Sequence, residues 1–333
     1  MKELRPQEAV AAADRGATLA IGNFDGLHRG HQRLLDVARD HARAAGTQWG
    51  IVSFEPHPRT FFRPEDPVFR LTPHALKLRL ARALGAGLLA TLAFDDELSG
   101  EQPEEFVRRH LVERLGVGHV VTGYDFHFGK GRKGSPETLR ELGRQLGFGV
   151  TIVEQVADED EGRAPFASSS IRSALRRGHV RAAARELGYH WTVMGEVVHG
   201  DKRGRTIGFP TANIILEQGA EPFRGIYAVK VRDAAAGPDA GHWLGAAYFG
   251  DRPTFATQRT FLEVFLLDET RDLYGHTLLV SFVDLIRPDQ SFTSVEALVA
   301  QMNDDCAAAR RILTAPEPAL FSRLGELQAT DRI

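Results

Sequence analysis

A chain of 333 residues, 43% hydrophobic and 26% charged, has ordinary globular composition but exceeds most single cores, so two domains are expected. A formal net charge of −3 argues against nucleic acid as a partner, and no apolar stretch approaches the ~20 residues of a membrane span. The N-terminus lacks a signal-peptide core, and one cysteine, Cys306, excludes an intrachain disulfide and reads as a small buried hydrophobe, so a cytoplasmic setting is expected.

The first half alternates strand and helix signals. Apolar runs predict strands at Thr18–Ile21, Trp49–Phe54, Leu88–Phe94, His119–Thr122 and Val150–Val153. Between the first two, Leu34, Leu35, Val37, Ala38 and Ala42 fall at helical spacing over Gly30–Ala45, and Gly46 stops the run. Thr72-Pro73 and Ser135-Pro136 read as caps with proline opening a helix, and Pro103–Leu115 carries Phe106, Val107, Leu111 and Leu115 on one side. Such alternation implies right-handed crossovers and a mostly parallel sheet covered on both faces, a Rossmann-like α/β domain. Ala157–Gly162 reads as an acidic exposed loop. Short helices at Ser169–Arg177 and Val180–Leu187 close the domain, assigned to residues 1–187.

Beyond Gly188-Tyr189-His190 the texture changes. Short strands are predicted at Thr192–Val198, Ile226–Val231, Trp243–Phe249, Phe261–Leu267 and Thr277–Ile286, with Gly, Pro and Asp between them. A helix at Ser294–Leu313 follows. Residues 188–333 are therefore expected to form a small antiparallel barrel with a terminal helix.

Two segments carry chemistry. Ile21-Gly22-Asn23-Phe24-Asp25-Gly26-Leu27-His28-Arg29-Gly30-His31 leaves a strand and enters a helix. Helix-start N–H groups and two imidazoles there suit charge developing on a nucleotide α-phosphate. His-x-x-His also permits a metal reading, but no Cys or carboxylate stands at ligand spacing nearby. Far downstream, Gly204-Arg205-Thr206-Ile207-Gly208-Phe209-Pro210-Thr211-Ala212-Asn213 offers hard oxygen donors for Mg²⁺ beside phosphates, or a proline turn that Asn213 caps. In Phe261-Leu262-Glu263-Val264-Phe265-Leu266-Leu267, alternation groups Glu263 with Phe261, Phe265 and Leu267. A carboxylate in that company is costly unless it has a partner or a task, such as general base.

The first segment resembles the nucleotidylyltransferase signature. With Phe54-Glu55-Pro56-His57-Pro58, the Gly123–Arg132 segment and Ser168-Ser169-Ser170-Ile171-Arg172, it resembles the flavin-nucleotide adenylyltransferase module of bacterial bifunctional riboflavin kinase/FAD synthetases. The downstream segment resembles the riboflavin kinase loop of the same family, as do Asp272-Leu273-Tyr274-Gly275 and Ile286-Arg287. The resemblance implies ATP as co-substrate and riboflavin, FMN and FAD as substrates and products, with Mg²⁺ as cofactor. In the adenylyl site it implies ATP contacts from Gly22, Phe24, Asp25, Gly26, His28, His31, Ser168, Ser169 and Arg172, with His28 and His31 catalytic. It implies flavin contacts from Phe54, His57, Asp125, Phe126 and Phe128. In the kinase it implies ATP contacts from Gly200, Gly204, Arg205, Thr211 and Asn213, metal ligation by Thr211 and Asn213, Glu263 as base, and flavin contacts from Tyr274 and Arg287. Small molecules, with neither nucleic acid nor membrane, are the expected partners; the sequence sets no oligomeric state. Ala167, Ser169, Ser170 and Tyr248 depart from the family pattern.

Overall fold

The computed structural model describes residues 1–155, 165–200, 204, 207–216, 220–236, 241–250, 261–269, 271–316, 322–329 and 332. The acidic loop Ala157–Gly162, Arg205 and Asp251–Thr254 lie outside them. The chain divides into two compact units, Met1–Val68 with Lys77–Phe166, and Phe69–Leu76 with Ala167–Ile333.

The first unit holds β1 (Lys2–Leu4), β2 (Thr18–Ile21), β3 (Trp49–Glu55), β4 (Leu88–Ala93), β5 (His119–Gly123) and β6 (Gly149–Val153). They form one sheet in the order β1-β4-β3-β2-β5-β6, every neighbouring pair parallel. Leu19, Ile21, Val52, Leu88, Ala90 and Val120 make its buried centre, which explains why these strands read as continuous apolar runs. Helix α1 (Arg29–Ala45) buries Leu34, Leu35, Ala38 and Ala42 and ends at Gly46, whose φ of 65° lets its N–H reach the carbonyls of Ala42 and Arg43. Ser135 caps the helix Pro136–Leu146 by accepting from the Thr138 N–H, as the Ser-Pro pair predicts. The Pro103–Leu115 helix differs from expectation. It is α-helical only over Pro103–Phe106 and widens to a π-helix over Val107–Arg114. Within it Arg109 and His110 both bond buried Glu101, a demand that helical spacing alone does not reveal.

Strand order fixes where a ligand belongs. β2 pairs with β3 on one side and β5 on the other, so the chain reverses direction across the sheet at the carboxyl end of β2. Crossovers leave a crevice at such a point. The segment from Gly22 to His28 starts there.

At the opposite ends of the strands His41 and His119 stack with centroids 3.6 Å apart. His41 Nδ1 and Thr18 Oγ1 are 3.1 Å apart, and His119 Nε2 lies 2.8 Å from Thr151 Oγ1. Burial, and secondarily His41, push the His119 pKa from 6.5 down to about 4. The unfolded chain therefore takes up a proton near pH 6.5 that the folded chain refuses until about pH 4. Stability is complete above pH 6.5 and is expected to fall by about 1–2 kcal/mol toward pH 4, after discounting for partial exposure. Denaturant titrations of the first unit across this range check the slope, and His119→Gln should flatten it.

The second unit holds β7 (Thr192–Val198), β8 (Thr211–Leu216), β9 (Gly225–Asp233), β10 (Trp243–Gly250), β11 (Phe261–Leu266) and β12 (Thr277–Pro288). They close an antiparallel barrel in the order β10-β11-β8-β7-β12-β9. Tyr227, Val229, Val231, Ile214, Leu262, Val264 and Val280 are almost completely buried. The helix Val295–Thr314 covers part of the outer wall with Cys306, Ala309 and Leu313, against Phe209, Ala228, Ala246 and Val283. Trp191 anchors the Phe69–Leu76 segment by donating Nε1 to the Leu71 carbonyl at 3.1 Å and meeting the Phe69 ring edge-on.

Candidate active sites

The loop leaving β2 is unusual in its backbone. Phe24 and Leu27 have φ of 49° and 43°, the left-handed region that costs free energy for side chains. Gly26, at φ 89°, takes the same region without that cost. Phe24, Asp25, Leu27 and His28 are buried, and Gln32 ties the turn by donating to the Leu27 carbonyl at 2.8 Å. His28 is the N-cap of α1, its Nδ1 accepting from the His31 N–H at 3.3 Å. A ring nitrogen that accepts carries no proton, so in neutral His28 the proton sits on Nε2, which is then a donor. The His28 and His31 rings stack with centroids 3.7 Å apart and 20° between planes, and Phe24 meets His31 edge-on. Two imidazoles thus share one orientation at a helix start, where the helix dipole favours negative charge.

The residues expected at a flavin divide into two sets. Phe54 and Phe128 are 8% and 6% exposed and belong to the sheet core, packing on Phe106. Phe126 lies partly exposed against Phe128, 17° from parallel, and Asp125 is exposed in the same loop. His57 caps the short helix Pro58–Phe62 through its Nδ1. That helix delivers a side chain the sequence reading missed: Phe62, 64% exposed, in edge contact with Phe61 and Phe94. Two adjacent phenylalanines, Phe61 and Phe62, closing a short proline-opened segment were the available signal. Ser168, Ser169 and Arg172 fall in the second unit, on the helix Ser168–Arg176, where Arg172 Nε donates to the Phe69 carbonyl at 2.7 Å.

The barrel assembles the other set by register. Thr211 and Asn213 stand on a strand, β8, where the sequence reading placed only a loop. Alternation there is sparse: Thr211 and Asn213 share the face opposite Ile214 and Leu216, and Asn213, Ile214 and Leu216 are all buried. Asn213 pairs with Glu263 of β11 and Thr211 with Phe265, so all four lie on one face. Leu262 and Val264, on the alternate face, fill the barrel; Glu263 itself is half-buried. Asn213 is 7% exposed and its Oδ1 has no hydrogen-bond partner among the described residues. Gly200 lies flat against that amide, leaving no room for a Cβ, while the Gly204 carbonyl accepts from the Phe209 N–H at 2.8 Å. At the barrel end where β8 begins, a cavity of about 520 Å³ opens between Pro210, Thr211, Val264 and Leu266 on one side and Leu273 and Tyr274 on the other. The Tyr274 ring packs on His199 at 3.9 Å.

Arg287 is held differently. Its guanidinium grips Asp305 fork to fork, with Nε–Oδ1 and Nη2–Oδ2 both 2.8 Å, and thereby ties β12 to the terminal helix. Tyr274 precedes β12 and Arg287 lies near its end, so the structure does not bring the two together. Among the described residues no group of three His, Cys, Asp or Glu converges as a metal site.

Comparisons with known proteins agree with both halves. A family model for FAD synthetase matches residues 10–164 and one for riboflavin kinase matches residues 187–313. A bifunctional riboflavin kinase/FMN adenylyltransferase of Pseudomonas fluorescens is 41% identical over 315 residues, 94% of this chain and 96% of that protein. Its counterpart in Escherichia coli is 37% identical over 308 residues, 92% and 96% of the two chains. A crystal structure described as a macrolide-efflux protein from Streptococcus pneumoniae matches with a TM-score of 0.79 at 28% identity, covering 92% of this chain and 98% of that one. Parallel sheet, barrel, both family models and these relatives lead to one conclusion: the chain belongs to the bifunctional riboflavin kinase/FMN adenylyltransferases, transferases that use ATP to convert riboflavin to FMN and FMN to FAD.

Proposed function

We propose that residues 188–333 phosphorylate riboflavin on the Thr211–Asn213–Glu263 face, and that residues 1–187 form FAD at the loop carrying His28 and His31. The observation that carries the kinase assignment is the buried Oδ1 of Asn213, which has no hydrogen-bond partner among the described residues and lies beside Glu263. A buried polar atom without a partner is costly, and a bound cation removes the cost. Asn213 Oδ1 and Thr211 Oγ1 are hard neutral oxygens of the kind Mg²⁺ takes when nucleotide phosphates supply its remaining ligands. They would hold Mg²⁺, whose chemistry there is to neutralise phosphate charge. Glu263 takes the proton from the riboflavin 5′-hydroxyl as that oxygen bonds to the γ-phosphorus of ATP and the bond to the β-phosphate oxygen breaks, releasing ADP. Gly200 and Gly204 bring backbone close over the phosphates, with Arg205 assigned to the same loop. Tyr274 borders the flavin in the cavity beside Thr211.

In adenylyl transfer the nucleophile is an FMN phosphate oxygen, already ionised at neutral pH, so no base is required. It bonds to the α-phosphorus and pyrophosphate leaves. His28 and His31 donate to the charge that builds on the α-phosphoryl oxygens, and Gly22, Phe24, Asp25 and Gly26 shape the pocket for ATP. Phe62 and Phe126 present ring faces to the flavin, backed by Phe54 and Phe128, with His57 and Asp125 at its border. No described helix is long and apolar enough to cross a membrane. A cytoplasmic setting supplies the ATP that both steps consume.

Chromatography of flavins after incubation with riboflavin, ATP and Mg²⁺ tests the pair of assignments, which require FMN and FAD in turn. Asn213→Ala should raise the Mg²⁺ concentration for half-maximal FMN formation about 10-fold or more, leaving FAD formation from supplied FMN unchanged. An unaltered Mg²⁺ dependence would remove Asn213 from the metal site.

A further inference from the structure

An ammonium is strongly hydrated, so lysine is rarely buried unless acceptors replace its water. Lys77, on the helix His74–Ala83, is 2% exposed. Its Nζ donates to the Asn23 carbonyl at 2.9 Å and to Ser53 Oγ at 2.7 Å, and Glu55 Oε1 lies 3.7 Å away. Ser53 Oγ also donates to the Asn23 carbonyl, at 3.2 Å. These groups all belong to the first unit. Ser53 and Glu55 end β3, and Asn23 opens the turn that leads to His28.

Position gives this cluster its meaning. The Asn23 carbonyl is bonded to the nitrogen of Phe24, the first of the two left-handed side-chain residues in the loop. Such a conformation persists only where its surroundings over-determine it. A charge-assisted bond from a buried ammonium is the strongest restraint available to a carbonyl, and it strengthens in a dry setting. A core that needed only filling would be served by leucine or methionine at this position. The cation instead closes on one peptide of the nucleotide loop.

We infer that Lys77 is a positioning residue for adenylyl transfer: its ammonium clamps the Asn23 carbonyl and thereby holds the turn that aims His28 and His31. It acts through the loop, from beneath. The inference rests on assigning that loop to adenylyl transfer. Misplacing donors by about 1 Å is enough to cost on the order of 100-fold in rate.

Lys77→Met keeps a long apolar stem and removes the cation. The kcat for FAD formation from FMN should fall about 10–100-fold, while the same preparation phosphorylates riboflavin at the wild-type rate. A purely structural role predicts the same fold-loss in any background, whereas action through the loop predicts coupling. Added to His28→Ala, Lys77→Met should therefore cost less than about 3-fold. Equal losses in the two backgrounds, or a wild-type kcat in Lys77→Met, overturn the inference while leaving the loop assignment intact. Undiminished FAD formation in His28→Ala overturns the loop assignment and the inference with it. If Lys77→Met does not fold, Ser53→Ala removes one acceptor and should show a smaller loss with the same dependence on His28.

Discussion

Replacing His28 and His31 together by alanine is expected to slow FAD formation from supplied FMN by about 10³-fold or more, with riboflavin phosphorylation unchanged. Removing one pre-organised donor to a charged transition state costs about 10²–10³-fold in other systems. These imidazoles are stacked and linked through the His31 N–H, so they act as a unit and their losses should not simply multiply. The substitution also removes the N-cap of α1, a loss of about 0.5–2 kcal/mol. Thermal melting of the first unit measures that loss separately. A cap effect lowers the melting temperature with modest loss of rate; a catalytic effect suppresses turnover in protein that is still folded. Flavin chromatography of single-step reactions reads both activities in one preparation. Loss of FMN formation alongside FAD formation would break the assignment of two independent sites.

The second large effect belongs to the barrel. Glu263→Gln is expected to lower FMN formation by about 10²–10⁴-fold, the usual contribution of a general base, and to leave FAD formation from FMN unaffected. Glutamine matches glutamate in shape but cannot accept the hydroxyl proton. The strand should survive, because Leu262 and Val264 on the opposite face hold β11 in the barrel. A kcat for FMN formation within about 3-fold of wild type would dismiss Glu263 as base. Although the carboxylate stands beside Asn213, Mg²⁺ ligation is assigned to Thr211 and Asn213, so the Mg²⁺ dependence of Glu263→Gln should change far less than its rate. This pattern is opposite to that expected of Asn213→Ala, and it separates the proton acceptor from the metal-binding side chain.

Where physics is local, the sequence was readable. Ser135 ahead of Pro136, Gly46 after a heptad-like apolar stripe, and continuous apolar runs for strands buried on both faces each describe their own neighbourhood. The strand-to-helix turn from Gly22 to His31 was readable for the same reason, since the turn and its cap, His28, lie close together in the chain. β1 escaped notice because Lys2-Glu3-Leu4 is a three-residue edge strand with two exposed side chains. β8 escaped because a Gly-Phe-Pro turn precedes it and its alternate positions carry Thr211 and Asn213, which look like loop residues. The widening at Val107–Arg114, from which Arg109 and His110 reach Glu101 outside that stretch of helix, is not recorded in helical spacing.

The amino-acid order by itself determined the two-domain division into a parallel α/β sheet and an antiparallel barrel, along with the histidine loop and the presence of an acid on β11. Only the tertiary structure decided that Asn213 and Glu263, fifty positions apart, become cross-strand neighbours, and that Lys77 closes under Asn23 from a distant helix. It likewise decided that Arg287 spends its charge on Asp305. The reason is that periodicity records which face of an element is buried, whereas register and long-range ion pairs depend on the partner that face meets.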